Sequence, residues 1–279
     1  MKITVPIVSR NRPAGLLSVL TSLDALATGS HEITYVLILD DDDHKTLQHI
    51  DLWEKQGIFP KGTVLRVGAR DKTLNARMNE AAAEFPADYY TMLVDDGFPL
   101  TQHWDSMFDG LKDLPAFAWC ERNDPKNATF ISVSERWRNA LGRVFPEYFP
   151  FWFADTWILE VHLLAFAKPI GIVQQLSMGG KRGQTQGMRE LPFWFNFFAK
   201  TRCERIADAT KLAKEWGFTL NMNDRKDQLS VLEQGDRNQI DNLPKYADLF
   251  KNDGSEPGIV YKQAKERAEA WLRAHQAAA

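Results

Sequence analysis

The chain has 279 residues, of which 44% are hydrophobic and 25% charged, with a net charge of −3. This composition is typical of a globular protein with one large domain or a domain plus an extension, and it excludes an overall basic surface for nucleic acid. The two cysteines, Cys120 and Cys203, are too far apart for a metal-ligand motif and favour a reduced, cytoplasmic setting. We expect no signal peptide, and no apolar stretch has the length of a membrane span.

Strands and helices alternate through the first hundred residues. Apolar runs predict strands at residues 3–8, 33–39 and 63–67, and a fourth strand that ends at Asp95. Helical spacing follows the first three strands, with Pro13 at the start of the first helix and Asp71 or Thr73 capping the third. This order predicts an α/β fold with a mostly parallel sheet flanked by helices.

The second half is less regular. Strands are predicted at residues 116–120, 129–133 and 170–176, and helices at 137–141, 156–167, 189–216 and 256–275. Residues 177–187 are glycine-rich and predict a loop, and the polar residues 221–254 predict an extended arm. The many aromatic residues of this half are expected in the core, with Trp152 as a candidate for an acceptor pocket.

Acidic residues stand where two predicted strands end. Asp95 and Asp96 follow one strand, and a run from Asp40 to Asp43 follows another. The carboxyl ends of parallel strands share one edge of a sheet, where α/β proteins bind ligands. Two adjacent carboxylates repel each other and favour a bound cation, for which a divalent metal carrying a phosphate is the usual reason. The alternatives are an ordinary turn for the first pair and a helix cap for the run of four.

The loop after the first strand carries arginines instead of glycines. No G-x-G-x-x-G and no P-loop is present, which argues against a nicotinamide-binding fold. Arg10 and Arg12 are candidates for phosphate contacts, and the alternative is a pair of solvated arginines at a helix start.

Five segments, in this order, resemble the motifs of the inverting, family 2-like GT-A glycosyltransferases. They are Val5-Pro6 with residues 9–13, residues 40–43, Arg77 with Asn79, residues 94–99 with Trp104-Asp105, and residues 153–157. The resemblance covers about the first two hundred residues. It implies a GT-A-like, Rossmann-like domain over residues 1–220, with a nucleotide-sugar half (1–100) and an acceptor half (101–220). Residues 221–279 would be a polar arm and a C-terminal helix, with homo-oligomerisation through that helix as one possible role.

The resemblance also implies roles for particular residues. Asp96, assisted by Asp95, would bind Mn²⁺ or Mg²⁺ at the diphosphate of a donor, commonly a UDP-sugar. Asp155 would be the catalytic base of a hexosyl- or pentosyltransferase, although an Asp there is also explained as a helix N-cap. The nucleotide-binding residues would be Pro6, Ser9, Arg10, Asp40, Asp42, Asn79, Asp95 and Lys181.

Two features depart from the family pattern. The usual Asp-x-Asp is here Asp95-Asp96-Gly97, and successive strand side chains point oppositely, so both reach one metal only if the chain turns there. The segment 173–181 also lacks the later His that often serves as a third ligand. Two other functions therefore stay open, a nucleotidyltransferase and a non-catalytic nucleotide-sugar-binding protein. The acceptor is open as well, among glycans, small molecules, proteins and modified nucleic acids.

Overall fold

The computed structural model describes residues 1–122, 124–150, 153–178, 190–244 and 258–276. These divide into two compact units, which are residues 1–145 with 170–180 and residues 146–169 with 181–279. The predicted boundary at residue 220 does not coincide with the boundary between these units. The predicted division into donor and acceptor halves stays a prediction.

The first unit contains every strand of the described chain and the first five helices. Its strands are β1 (Lys2–Val8), β2 (Glu32–Asp40), β3 (Thr63–Gly68), β4 (Tyr89–Thr91), β5 (Leu93–Val94), β6 (Gly97–Pro99), β7 (Ala116–Glu121), β8 (Asp124–Ser134) and β9 (Ile172–Met178). Its helices are α1 (Pro13–Leu26), α2 (His44–Lys55), α3 (Leu74–Glu84), α4 (Met107–Leu111) and α5 (Glu135–Leu141).

Among the described residues, nine strands form one mixed sheet in the order β3-β2-β1-β4-β8-β7-β9-β6, with β5 also paired to β1. Strand β1 pairs in parallel with β2, β4 and β5, and β2 pairs in parallel with β3. The alternation of strands and helices in the sequence predicts this arrangement. Antiparallel pairing begins where β8 joins β4 and recurs between β7 and β8 and between β6 and β9. The carboxyl ends of β2, β1 and β5 are therefore neighbours at one edge of the sheet.

The strand expected to end at Asp95 is broken in two at Met92. The register of β1 runs from Thr4 opposite Tyr90 to Ile7 opposite Leu93, so the break lies opposite Pro6. Proline has no backbone N–H to donate to a ladder, so β1 makes one bond fewer to its neighbour there. The Met92 N–H turns to the other side and donates to the Ile131 carbonyl in β8, 3.3 Å away. The short β5 that follows delivers Asp95 and Asp96 to a turn instead of a continuing strand.

The second unit is helical over its described residues. Its helices are α6 (Ala154–Phe166), α7 (Leu191–Lys200), α8 (Arg202–Glu215), α9 (Lys226–Asn242) and α10 (Ile259–Gln276), with a 3₁₀ turn at Met222–Arg225. Aromatic rings form much of its core, which confirms that expectation for Phe149, Trp157, Trp194, Phe197 and Phe198. Trp152 lies outside the described residues.

The extended arm predicted from residue 221 onward is wrong for residues 226–242, which form α9. This helix has no fully buried residue, so the apolar periodicity that reveals a helix is weak there. It packs against α6 and α7, and Arg202 at the start of α8 forms ion pairs with Glu233 and Asp236. The predicted C-terminal helix is confirmed as α10.

The apolar side of α10 is used for packing within its own unit. Tyr261, Ala264 and Ala268 are buried, and the Tyr261 hydroxyl accepts a hydrogen bond of 2.9 Å from the Trp194 indole. Oligomerisation through this helix stays a prediction. No helix within the described ranges has both the length and the apolar content that crossing a bilayer requires.

Candidate functional site

The loop between β1 and α1 carries two arginines whose side chains extend in opposite directions along the sheet edge. Asn11 separates them and has a left-handed backbone (φ 57°), which asparagine tolerates better than most residues. Arg10 on one side reaches the end of β2, and Arg12 on the other reaches the turn after β5. Because β2 and β5 both pair with β1, this loop lies between two acidic groups and supplies a cation to each.

The Arg10 group contains two of the acidic residues predicted to bind nucleotide. Arg10 Nη1 donates to Asp40 Oδ2 at 2.8 Å, and its guanidinium bonds both oxygens of Asp42, with Nη2 to Oδ2 at 2.8 Å. Hydrogen bonds from Arg10 lower the pKa of Asp42. Arg70 Nε lies 3.9 Å from Asp40 Oδ2. The structure thus brings Arg10, Asp40 and Asp42 together, with the carboxylates already engaged by cationic side chains.

Asp43, the last residue of the acidic run, has a structural role. It is fully buried and caps α2, because its Oδ1 accepts from the Thr46 N–H at 3.1 Å. Its Oδ2 accepts from the Asn11 N–H at 2.8 Å and so holds the arginine loop in place. The helix-cap interpretation of the run is therefore confirmed for this residue.

The Arg12 group brings together the two predicted metal ligands. Arg12 Nη1 donates to Asp95 Oδ1 at 2.7 Å and to Asp96 Oδ2 at 2.8 Å. Residues 95 and 96 form a turn, which removes the opposite orientation that adjacent strand side chains would have. One oxygen from each carboxylate therefore faces the same cationic nitrogen.

The environments of the two carboxylates differ. Asp95 is 5% exposed, and its second oxygen accepts a 2.7 Å hydrogen bond from the hydroxyl of the buried Ser9. Burial raises the pKa of Asp95, while the bonds from Ser9 and Arg12 oppose that rise. The side chain of Asp96 keeps 24% of its surface exposed. Asp95 is thus the fixed member of the pair, and Asp96 is the member open to solvent.

The Asp95–Asp96 pair fits a divalent cation. The convergence of their oxygens on one nitrogen shows that both side chains can bond a single positive centre. Mg²⁺ sites that carry phosphates commonly use one or two carboxylates and complete their coordination with water and phosphate oxygens. Within the described ranges there is no group of three or more His, Cys, Asp or Glu side chains placed to hold a metal. A cation here would therefore take two carboxylate ligands from this pair.

Other predicted nucleotide-binding residues are placed differently. Pro6 is buried inside β1. The side-chain amide of Asn79 on α3 bonds the backbone, because its Oδ1 accepts from the N–H groups of Val144 at 3.0 Å and Phe145 at 2.9 Å. These contacts give Asn79 a structural role, and nucleotide contacts by either residue stay a prediction. Lys181 lies outside the described residues.

Asp155 belongs to the second unit and lies in the first turn of α6. It is not the N-cap, because the helix begins at Ala154 and Phe153 is the capping residue, with a left-handed backbone (φ 66°). Asp155 Oδ1 accepts from the Thr156 N–H at 2.8 Å, and burial raises its pKa. A carboxyl with a raised pKa accepts a proton more readily than an ordinary one, and a proton-accepting role for Asp155 stays a prediction.

Sequence reasoning missed how Arg12 and Gly15 contribute to the site. Arg12 was a candidate for phosphate contacts, and the structure places it between Asp95 and Asp96. Gly15 lies so close to the Asp95 backbone that a Cβ there would lie 2.5 Å from its carbonyl oxygen. The only sequence signal was two basic residues flanking an asparagine at a strand-to-helix turn.

No protein-family model matches the chain, and no curated protein sequence matches it. Solved structures do resemble it. The mannosyltransferase PcManGT from Pyrobaculum calidifontis, in complex with GDP-Man and Mn²⁺, has a TM-score of 0.56 at 12% identity, covering 85% of this chain and 82% of that one. S. aureus TarS (residues 1–349) with UDP-GlcNAc has a TM-score of 0.57 at 12% identity, covering 76% and 70%.

A third similar structure is glucosyl-3-phosphoglycerate synthase from Mycobacterium tuberculosis with Mg²⁺ and UDP. Its TM-score is 0.51 at 13% identity, with 74% of this chain and 79% of that chain covered. At such identities the likeness establishes the fold alone. This chain has the GT-A fold of the nucleotide-sugar glycosyltransferases.

Proposed function

We propose that the chain is a metal-dependent glycosyltransferase that moves a sugar from a nucleotide-sugar donor to an acceptor hydroxyl with inversion. One observation carries the proposal. Asp95 and Asp96 converge on a single cationic nitrogen at the carboxyl edge of a GT-A sheet. In open α/β sheets this edge is where ligands bind.

The donor would lie along the edge between the Arg10 and Arg12 groups. Similar folds hold GDP-Man, UDP-GlcNAc and UDP, which supports a nucleoside diphosphate, and we propose a UDP-sugar. Asp40 and Asp42 would accept hydrogen bonds from the base and ribose, and Arg10 and Lys181 would face negative charge. Ser9 would act by fixing Asp95, which its hydroxyl contacts at 2.7 Å.

Asp95 and Asp96 would hold Mn²⁺ or Mg²⁺, as complexes of the similar structures with these ions support. A bound divalent cation neutralises negative charge that develops on the diphosphate as it leaves. Asp95, buried and fixed by Ser9, would orient the site, and the more exposed Asp96 would complete it.

In the transfer itself, the acceptor oxygen attacks the anomeric carbon and forms the new glycosidic bond. The bond from that carbon to the diphosphate oxygen breaks, and the nucleoside diphosphate leaves with the electron pair. We propose that Asp155 takes the acceptor proton. A single displacement of this kind inverts the anomeric configuration.

One observation favours a second candidate, a nucleotide-sugar-binding protein without turnover. Arg12 already neutralises part of the charge on the acidic pair, so the site is stabilised without a metal. Hydrolysis of the donor in the absence of acceptor separates the two functions, because a pure binding protein leaves the nucleotide sugar intact.

The test is a thermal-shift panel of UDP-, GDP- and other nucleotide sugars, each with and without Mn²⁺. A ligand that binds the native state raises its stability by mass action, by about 2.7 kcal/mol at a hundred times its Kd. We expect the midpoint to rise for at least one nucleotide sugar, and to rise more with Mn²⁺. No shift with any of them would refute the proposal.

Asp155→Asn separates binding from turnover in the same assay. The variant should keep the midpoint shift given by the donor while losing most of the transfer, or of the slower donor hydrolysis. Asp227→Asn is the matched control, since Asp227 lies in the first turn of α9 in the same unit. Turnover that survives in Asp155→Asn would place the base elsewhere.

A further inference from the structure

Arg12 occupies the position between the two carboxylates where the proposed cation would bind. Its Nη1 donates to one oxygen of each, at 2.7 Å to Asp95 and 2.8 Å to Asp96. Charge-assisted bonds of this kind are about twice as strong as neutral ones. A metal that binds these two oxygens from the side that Arg12 occupies displaces this nitrogen.

The backbone around Arg12 is fixed, whereas its side chain is in contact with solvent. The Arg12 carbonyl accepts the Leu16 N–H at 3.0 Å, and Pro13 follows as the first residue of α1. The guanidinium side chain is 31% exposed, so solvent reaches it in place. We therefore expect exchange to involve the Arg12 side chain while the first turn of α1 stays in place.

We propose that Arg12 is a built-in counter-ion that competes with the divalent cation for Asp95 and Asp96 and so sets the metal affinity of the site. The inference rests on the proposed function, in that it takes this pair to be the metal site. Without metal, Arg12 offsets the repulsion between two adjacent carboxylates, one of which is buried. With metal, the displaced guanidinium remains beside the site as a positive group.

The test measures Mn²⁺ binding by the full chain, without nucleotide, using the EPR signal of free Mn²⁺. Arg12→Gln should bind Mn²⁺ about tenfold more tightly than the wild type, equivalent to ~1.4 kcal/mol. Arg66→Gln is the matched control, because it removes the same charge from an exposed residue that pairs with Glu84. The Mn²⁺ affinity of Arg66→Gln should change far less, since exposed charges away from the site are screened by solvent and salt. Equal Mn²⁺ affinity in wild type and Arg12→Gln would overturn the inference.

A second measurement covers the case in which Arg12→Gln does not fold. In wild-type protein labelled with ¹⁵N-arginine, Mg²⁺ should shift the guanidinium resonances of Arg12, assigned through Arg12→Lys. If Mg²⁺ saturates the protein and those resonances stay in place, Arg12 does not exchange with the metal.

The outcomes separate this inference from the proposed function. If the wild type binds a nucleotide sugar better with Mn²⁺ but Arg12→Gln gains no Mn²⁺ affinity, only the competition is refuted. If the wild type binds a nucleotide sugar equally well with and without Mn²⁺, and Arg12→Gln loses that binding, Arg12 replaces the metal. Both the competition and the metal dependence of the proposed function are then refuted. If no protein binds Mn²⁺ or a nucleotide sugar, the proposed function fails as well.

Discussion

Gly15 of α1 packs directly against the backbone of Asp95. A Cβ at Gly15 would lie 2.5 Å from the Asp95 carbonyl oxygen, which is closer than such contacts occur. The first turn of α1 and the acidic turn after β5 are thus held in contact by the absence of a side chain. This contact links the arginine loop to the carboxylates that its arginine bonds.

The Gly15 contact predicts that Gly15→Ala displaces the acidic turn. Overpacking costs about 1–3 kcal/mol, while alanine recovers about 1 kcal/mol of helix propensity. We expect a net loss of stability in urea unfolding together with weaker Mn²⁺ binding. Gly110→Ala in α4 is the control, because nothing lies within 4 Å of a Cβ there, and it should be neutral or stabilising. Unchanged Mn²⁺ binding in a folded Gly15→Ala protein would contradict this account of the turn.

We expect Asp96 to account for most of the effect of Mn²⁺ on nucleotide binding. Asp96→Asn removes the charge of the more exposed ligand, and we expect Mn²⁺-dependent UDP binding to weaken by at least about tenfold, or ~1.4 kcal/mol. Isothermal titration of UDP with and without Mn²⁺ measures this loss. Asp51→Asn, an exposed change of equal charge on α2, should leave the titration unaltered. If Asp96→Asn keeps the full effect of Mn²⁺, the metal binds elsewhere.

The second unit contains a buried ion pair between Arg205 and Glu160, and removing one residue leaves the other buried without its partner in the pair. Arg205 is fully buried, lies 2.6 Å from Glu160 and stacks on Phe198, with its guanidinium carbon 3.9 Å from the ring centroid. Arg205→Leu alone should cost about 3–5 kcal/mol because Glu160 is left charged and buried. Arg205→Leu with Glu160→Leu should recover much of that loss in urea unfolding. A double variant no more stable than the single one would show that the pair itself stabilises the unit.

His162 predicts a loss of stability in mild acid. Burial lowers its pKa to about 4, against an ordinary value of 6.5, and its Nδ1 lies 2.9 Å from the Lys168 carbonyl. The unfolded chain therefore takes up a proton that the folded chain resists. Stability is complete above about pH 6.5 and falls as the pH approaches 4, by on the order of 3 kcal/mol.

Urea unfolding between pH 7 and pH 4 measures this effect, with His162→Gln as the variant. The variant should lose part of the pH dependence, because glutamine takes up no proton in this range. His49→Gln, at an exposed position on α2, is the control and should keep the wild-type slope. Equal slopes for all three proteins would contradict the assignment to His162.

Strand ends and their acidic residues were predictable because buried parallel strands are short, continuous apolar runs. The break at Met92 was not, since it depends on Pro6 lying opposite in a neighbouring strand. Helix α9 was missed because none of its residues is fully buried, which leaves only a weak apolar pattern in the sequence. A sequence also does not show which distant groups a long side chain contacts. Asp95 and Asp96 were therefore candidate ligands, while the contact of the Arg12 guanidinium with both was not predicted.

The central proposal is that the carboxylates of Asp95 and Asp96 bind one divalent cation together with a nucleoside diphosphate. Anomalous X-ray diffraction from a crystal grown with UDP and Mn²⁺ tests it most directly. We predict one manganese peak bonded to both carboxylates and to diphosphate oxygens, with the Arg12 guanidinium moved off the pair. Bound UDP with Arg12 still bridging Asp95 and Asp96, and manganese absent or elsewhere, would contradict the account.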